Sequence, residues 1–317
     1  MTQSLRHKKI TVVTPCFNEE ANVAEVYRQV KEVFAGLPQY EYEHIFIDNA
    51  STDKTVGILN DLASRDRSLK IIVNARNFGY VRSPFYAVLQ AEGDAVVTFV
   101  ADLQDPAILI KDFIKKWEEG YKIVIGIINE SNENSLMFGI RKFYYYLVKK
   151  CAEVELINHF NGFGLYDKQI VEILRKFDDP YPYFRGLISE VGFPRAEIKY
   201  TQTKREKGKS VSNFYTLYDV AMLGFVSHSK LPLRLASFIG FGASIISFFL
   251  GLAYLIYKLL FWYSFELGLA PLIIGLFFFA SIQLFFIGVI GEYIGAIYTQ
   301  VRKRPLVVEK ERVNFDQ

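Results

Sequence analysis

Two apolar stretches near the end of the chain constrain it most. Leu235 to Tyr257 and Leu267 to Gly291 run for 23 and 25 residues without a charged side chain. A helix rises about 1.5 Å per residue, so about 20 residues cross the ~30 Å hydrocarbon core of a bilayer. Each stretch is long enough to span, and the alternative, two buried helices of a large soluble core, usually takes shorter runs. Composition agrees: 51% of the 317 residues are hydrophobic and the mean hydropathy is +0.14, high for a cytosolic enzyme.

Positive charge sets the orientation. Lys230 and Arg234 precede the first stretch and Arg302, Lys303 and Arg304 follow the second, while the connection holds Lys258 and Glu266. Both flanks therefore favour the cytoplasmic side of the cytoplasmic membrane. The expected organisation is a cytoplasmic domain over 1–210, a juxtamembrane amphipathic segment over 211–232, a two-helix hairpin over 233–300 and a cytoplasmic tail over 301–317. Gly240, Gly242, Gly251, Gly275 and Gly288 permit close helix contacts, which leaves a homo-oligomer open. At the start, Ile10 to Val13 is too short for a signal-peptide core. Cys16 and Cys151 form neither a disulfide framework nor a zinc spacing, as suits a reducing compartment. A net charge of +3 gives no general attraction for nucleic acid.

The part before Lys230 alternates apolar runs with helical patterns. Ile10 to Pro15, His44 to Asp48, Leu69 to Val73, Ala95 to Val100 and Lys122 to Ile128 read as short buried strands, without a clean period of two. Between them, Val23, Val26, Val30, Val33 and Phe34 recur at helical spacing after Asn18, a suitable N-cap, and Gly36 stops the pattern. Pro106 starts another helix with Leu109, Phe113 and Trp117 on one face. Repeated β-α-β units predict an α/β fold with a mostly parallel, Rossmann-like sheet covered on both sides.

In such a sheet ligands sit at the carboxyl ends of the strands. The first run ends in Thr14-Pro15-Cys16-Phe17-Asn18-Glu19-Glu20 and the second in Asp48-Asn49-Ala50-Ser51-Thr52-Asp53. The third ends in Asn74-Ala75-Arg76-Asn77-Phe78-Gly79 and the fourth in Ala101-Asp102-Leu103-Gln104-Asp105-Pro106. An acid there accepts hydrogen bonds from a base or ribose, or holds a hard cation against a diphosphate. Any one of them also serves as a cap or loop carboxylate, but four polar ends on one rim point to a ligand. Pro-Cys-Phe-Asn-Glu-Glu after the first run replaces the glycine-rich turn of a dinucleotide-binding dehydrogenase, and no lysine-containing phosphate loop is present. His7, His44, His159 and His228 form no ligand spacing.

These segments, with Arg185-Gly186 and a later basic loop, resemble the GT-A-fold family 2 glycosyltransferases. Within that group the chain is similar to the polyprenyl-phosphate glycosyltransferases of the bactoprenol glucosyltransferase and dolichol-phosphate mannose synthase type, over residues 8 to 300. The resemblance implies a GT-A domain followed by interfacial helices and a membrane hairpin. It implies that Pro15, Phe17, Glu19 and Asp48 border the nucleoside of a nucleotide sugar, with Arg76 and Gln104 also on the donor. It places Asp102 and Gln104, with Asp105 nearby, at a divalent metal, Mg2+ or Mn2+. Three departures stand out: the usual acidic pair after the second strand reads Asp48-Asn49, the first acid of the metal motif is Val100, and a Gly-Asp-Phe segment reads Asn161-Gly162-Phe163.

The basic loop, Lys204-Arg205-Glu206-Lys207-Gly208-Lys209-Ser210, carries +3 over seven residues. It resembles the family's loop over the donor diphosphate, which implies that Arg205, Lys209 and Ser210 act with Asp102 in catalysis; a solvated turn or contact with anionic headgroups is the other reading. Ser135 to Val154 reads as a basic, aromatic amphipathic helix, either interfacial or part of the core. Its Arg141 suits an acceptor phosphate or a plain headgroup. Phe214 to Phe225 is a second interfacial candidate. The function expected is inverting transfer of a hexose, glucose, from UDP-glucose to polyprenyl (undecaprenyl) phosphate at the cytoplasmic membrane face. GDP-mannose is the alternative donor, and a membrane-anchored nucleotide-sugar binder without turnover is the rival class. Two spans without an internal charge disfavour a transporter.

Overall fold

Apolar runs bounded by polar ends become a layered sheet. The strands and helices of the first half are β1 (Lys8–Cys16), α1 (Val23–Ala35), β2 (Tyr40–Asp48), α2 (Thr55–Ala63), β3 (Leu69–Asn74), α3 (Gly79–Gln90), β4 (Ala95–Thr98), α4 (Leu109–Glu118) and β5 (Ile123–Ile128). They are followed by β6 (Gly164–Asp167), α5 (Lys168–Lys176), α6 (Phe184–Glu190), β7 (Arg195–Tyr200), α7 (Leu231–Leu260), α8 (Leu269–Val301) and β8 (Glu309–Val313). The computed structural model describes residues 7–129, 157, 159–203, 231–261 and 269–315.

The eight strands form one sheet in the order β7-β5-β6-β4-β1-β2-β3-β8. β1 pairs in parallel with β2 and β4, β2 with β3, and β5 with β7. β6 runs antiparallel between β4 and β5, and β8 runs antiparallel on β3. The sheet is therefore mixed, with its parallel character concentrated in β3-β2-β1-β4. β6 fits its slot because Gly164 has no side chain: a Cβ there would lie 2.6 Å from the Val124 carbonyl oxygen.

Alternate residues of each central strand enter opposite faces, which is why the runs are continuously apolar. Ile10, Val12, Phe46 and Val97 pack with Val26, Val30, Phe34 and Phe113 on one face. Val13, Ile45, Ile47 and Ile72 pack with Phe85, Val88 and Ile170 on the other. Helix α1 begins at Val23 with Asn22 before it, so Asn18 is not its cap; the Asn18 side chain is drawn instead to the neighbouring loop, where its oxygen accepts from the Thr52 amide at 2.8 Å.

α7 contains the first apolar stretch, and α8 takes up the second from Leu269 and continues past Gly291 to Val301. At 30 and 33 residues they measure about 45 and 50 Å, longer than a bilayer core. Their apolar side chains are exposed, Phe238 and Phe285 among them, and both helices are long and apolar enough to cross a membrane. The segment 301–317, expected as a tail, supplies β8 and so belongs to the sheet. Its sequence, Glu-Lys-Glu-Arg-Val, has no strand-like apolar pattern, and a charged edge strand is what protects a sheet from further pairing.

Inside the sheet, Glu43 takes Lys9 and Lys70 at 2.6 and 2.8 Å and the Thr11 hydroxyl at 2.6 Å. Next to it, His44 shares a 2.8 Å hydrogen bond with Thr14, and burial lowers its pKa from 6.5 to about 3. An unfolded chain takes up a proton at this position below about pH 6.5, whereas the native imidazole stays neutral until about pH 3. Stability should therefore fall as pH drops through that window, by up to ~1.4 kcal/mol per pH unit. His44→Gln should flatten this acid limb in denaturant titrations across the window, and an unchanged slope would contradict the assignment.

Candidate active site at the carboxyl rim

From β1 the chain steps outward through β2 and β3, then returns to β4 on the other side of β1. This reversal opens a crevice at the carboxyl ends of β1 and β4, the usual ligand position in an open α/β sheet. Three of the loops on this rim hold a non-glycine residue in the left-handed region: Asn18 (φ 54°), Ala50 (φ 64°) and Leu103 (φ 57°). Such conformations cost energy and are retained where surrounding contacts impose them.

The loops after β1 and β2 are laced together. The Asn18 amide donates to the Ser51 hydroxyl at 2.8 Å, the Glu19 amide to Thr55 Oγ1 at 2.9 Å and the Glu20 amide to Asp53 at 3.2 Å. In return, the Lys54 amide donates to Glu20 at 3.0 Å. Asp48, fully buried, accepts from the Ser51 amide at 2.8 Å and from the Ser51 hydroxyl. Burial raises its pKa and the Ser51 bonds oppose that shift. Pro15, Phe17 and Glu19 lie half-buried beside it, and Glu19 accepts from Asn22 Nδ2 at 2.6 Å.

Asn49 joins β2 to the loop after β3. Its Oδ1 accepts from Asn74 Nδ2 at 3.1 Å and from the Phe78 amide at 2.8 Å. Its Nδ2 donates to Asn77 Oδ1 at 2.9 Å and to the Gly79 carbonyl at 3.3 Å. An aspartate has no donor for the last two contacts, which accounts for an amide here. Arg76 is exposed, lies 4.0 Å over the Phe78 ring and donates to the Asn77 carbonyl.

At the end of β4, Asp102 accepts from the Gln104 amide at 3.1 Å through Oδ1, and its second oxygen has no hydrogen bond among the described residues. Gln104 Nε2 donates to the Thr203 carbonyl at 3.3 Å, leaving its Oε1 available. Asp105 is only 3% exposed and is enclosed by donors: Tyr200 Oη, Gln202 Nε2 at 3.2 Å, and Asn161 Nδ2 at 3.0 and 3.2 Å from its two oxygens. Burial raises the Asp105 pKa against the bonds from Tyr200 and Asn161, while burial and the Asp105 carboxylate keep the Tyr200 phenol protonated. Asp105 is thus turned inward and faces protein donors, a different setting from that of a metal carboxylate beside Asp102. The Thr203 amide and hydroxyl bond to the Gln104 carbonyl at 3.0 and 3.1 Å, fixing the root of the basic loop to this turn.

Arg205, Lys209 and Ser210 lie outside the described residues, as do Arg141 with the aromatic helix and the segment Phe214 to Phe225. Arg185 donates to the Phe160 carbonyl at 3.1 Å. Asn49, Asn74 and Asn77 stand in the polar strand ends read from the sequence but receive no role there, and the Asp105 partners Tyr200 and Gln202 are not singled out. The asparagines had a signal, since each sits on a polar strand end; Tyr200 and Gln202 lie almost a hundred residues from Asp105 and had none.

The profile described as "Glycosyl transferase family 2" matches residues 11–191, more than half of the chain. The chain belongs to glycosyl transferase family 2. The glycosyltransferase YkcC of Bacillus subtilis is 32% identical over 312 residues, 98% of this chain and 96% of its own. The SfII prophage-derived bactoprenol glucosyl transferase of Shigella flexneri is 33% identical over 304 residues, 96% of this chain and 98% of its own. Among solved structures, a Pyrobaculum calidifontis mannosyltransferase, PcManGT, in complex with GDP-Man and Mn2+ aligns over 94% of this chain and 87% of its own, with a TM-score of 0.46 and 16% identity.

Among the described residues of this glycosyltransferase, the turn after β4 leaves two oxygens free for a ligand. The second oxygen of Asp102 and Oε1 of Gln104 are hard oxygen donors on one tight turn, a set that fits Mg2+ or Mn2+ as a partial site. Among the described residues no three His, Cys, Asp or Glu side chains gather as a complete one. For Asn49, the Gly79 amide fixes the Asn77 oxygen at 2.8 Å, so Asn77 cannot turn its amide to suit a carboxylate. Asn49→Asp should therefore cost about 1–3 kcal/mol, the penalty for facing acceptors without a donor. Thermal unfolding in detergent measures this, and an unchanged midpoint would show that the rim adjusts freely.

Proposed function

We propose that the chain transfers glucose, with inversion, from UDP-glucose to a polyprenyl phosphate, undecaprenyl phosphate, at the cytoplasmic face of the membrane. The observation that carries this reading is the union, in one family 2 glycosyltransferase, of a polar carboxyl rim and two exposed apolar helices. Full-length relatives bearing the name bactoprenol glucosyl transferase support the sugar and the lipid class. An acceptor phosphate is already ionised and nucleophilic near neutral pH, so a strong general base is less needed than for a sugar hydroxyl. Gly162, where the resemblance leads one to expect an acid, is compatible with that chemistry, and the neighbouring Asn161 amide serves Asp105.

In this mechanism Pro15, Phe17, Glu19, Asp48 and Arg76 border the donor, and Asp102 and Gln104 would hold a divalent metal, which when bound would supply positive charge to the diphosphate. Arg205, Lys209 and Ser210 stabilise the departing nucleotide, and Arg141 receives the acceptor phosphate. Connectivity supports the topology: β8 follows α8 yet lies in the same sheet as β1, so the chain must return to the side from which it entered. Lys230, Arg234 and Arg302 to Arg304 favour the cytoplasm for that side.

Purified protein given radiolabelled UDP-glucose or GDP-mannose with polyprenyl phosphate should pass label from UDP-glucose into the organic phase. Label from GDP-mannose alone would change the donor, and nucleotide binding without lipid product would mean a binder. Asp102→Asn should lower turnover about 10²-fold or more and abolish the effect of Mn2+ on UDP binding. Arg205→Ala and Lys209→Ala should lower turnover on a similar scale, more than donor affinity, because leaving-group charge develops in the transition state. A defect confined to anionic bilayers would transfer the loop to headgroup binding. A cysteine at Ser264 should react with an impermeant thiol reagent from outside intact cells; labelling only after permeabilisation would reverse the topology.

A further inference from the structure

The segment after α8 is bound to the sheet and its helices from Leu306 to Phe315. Gln300 Nε2, in the last turn of α8, donates to Asp179 at 2.9 Å. Val307 is then buried, and Leu306 and Phe315 pack against the core face that holds Ile72 and Phe85. Between them β8 pairs with β3, from Val313 opposite Ile71 to Glu309 opposite Asn74.

Its side chains hold the elements on either side of β3. Glu309 accepts from Tyr86 Oη of α3 at 2.7 Å, and Arg312 donates to Gln90 of α3 at 2.5 Å. Asn314 Nδ2 donates to the carbonyls of Ala63 at 2.9 Å and Leu69 at 2.8 Å, closing the turn that leads into β3. One backbone bond reaches further: the Ala75 amide, just past the end of β3, donates to the Val308 carbonyl at 2.8 Å.

Ala75 begins the connection from β3 to α3, the outer wall of the candidate donor rim. Its neighbour Asn74 donates to Asn49 at 3.1 Å and to Ser83 Oγ at 3.0 Å, and Asn49 in turn fixes Asn77 and Gly79. Without β8, β3 would be an edge strand, and backbone at the end of an unpaired edge opens most readily. With β8 in place, the Asn74 to Gly79 connection is clamped from both sides, by the Asn49 amide within and the Val308 carbonyl without.

We propose that residues 306–315 are a positioning element for the donor site, holding the Asn74 to Gly79 connection in the form that receives the nucleotide. The inference rests on the nucleotide-sugar reading of this rim. It assigns no contact between the strap and the donor; the strap acts through Ala75 and Asn74. A donor that must first order a loosened connection binds more weakly, while the chemistry, once the donor is bound, is unaltered.

The test uses the full-length protein in detergent micelles beside two variants, one ending after Pro305 and one carrying Tyr86→Phe with Asn314→Ala. UDP binding by calorimetry, steady-state kinetics with donor and acceptor varied separately, and amide hydrogen exchange over 74–79 are compared. In both variants UDP Kd and donor KM should rise about tenfold, as expected from losing a few net hydrogen bonds. Turnover at saturating donor and acceptor KM should stay within about twofold, and exchange over 74–79 should accelerate. A fall in kcat with donor KM unchanged would mean that the strap only supports folding, and would overturn the proposal. Unchanged Kd and exchange in the truncated protein would overturn it too. If the wild type itself binds no UDP or other nucleotide, the nucleotide-sugar reading fails and takes this inference with it.

Discussion

Backbone amides beyond the carboxyl ends of parallel strands lose their ladder partners, and the rim of this protein is organised by how they are satisfied. Short polar side chains accept from them, from a neighbouring loop in Ser51 from Asn18, Thr55 from Glu19, Asp53 from Glu20 and Asn49 from Phe78, and within one turn in Asp102 from Gln104. These bonds join the loops after β1, β2 and β3 to one another, while the turn after β4 closes on itself and is held by Thr203. The left-handed Asn18, Ala50 and Leu103 are conformations this network holds in place. Most polar groups that could meet a ligand are already used in this way. Among the described residues, groups that this network leaves open on the rim include one oxygen of Asp102, Oε1 of Gln104, the exposed Arg76 and the half-buried faces of Pro15 and Phe17.

The same logic explains which features were legible in sequence. The central strands were visible because burial on both faces demands continuous apolar runs, and the rim was visible because polar residues end those runs abruptly. Asn18 was misjudged as a helix cap because that rule is local. Thr52 of the opposite loop offered its side chain a better use, and the helix began at Val23 without a side-chain cap. Asp105 looked like a metal carboxylate because it stands beside Asp102 and Gln104 in sequence. Its environment is decided by Asn161, Tyr200 and Gln202, brought in by the antiparallel β6 and the distant β7, and no local pattern encodes that.

β8 is the clearest case of a strand hidden from pattern reading. Four of its five residues are charged, since an outermost strand needs backbone pairing on one side and solubility on the other. Its stabilising contacts come from long-range partners, Tyr86, Gln90 and the carbonyls of the α2–β3 turn, none of which its sequence reveals. The charges that conceal it are the ones it uses, because Glu309 and Arg312 reach α3 from the sheet edge.

Placing that strand after the apolar helices has a consequence for the enzyme as a whole. A domain attached to a bilayer through a single linker is free to tilt over a wide range. Here the sheet is joined to the apolar helices at both ends of the hairpin, through the chain preceding α7 and through the few residues between Val301 and Glu309. The second join is short and ordered, with Gln300 bonded to Asp179 and Val307 buried. The strand that follows α8, β8, is therefore paired with β3, the outer strand of the candidate rim. On the proposed function, a water-soluble donor and a lipid acceptor must meet at one point above the membrane. If α8 spans the membrane as that reading requires, a sheet edge joined to its exit fixes the height and tilt of that point in a way that flexible anchoring does not.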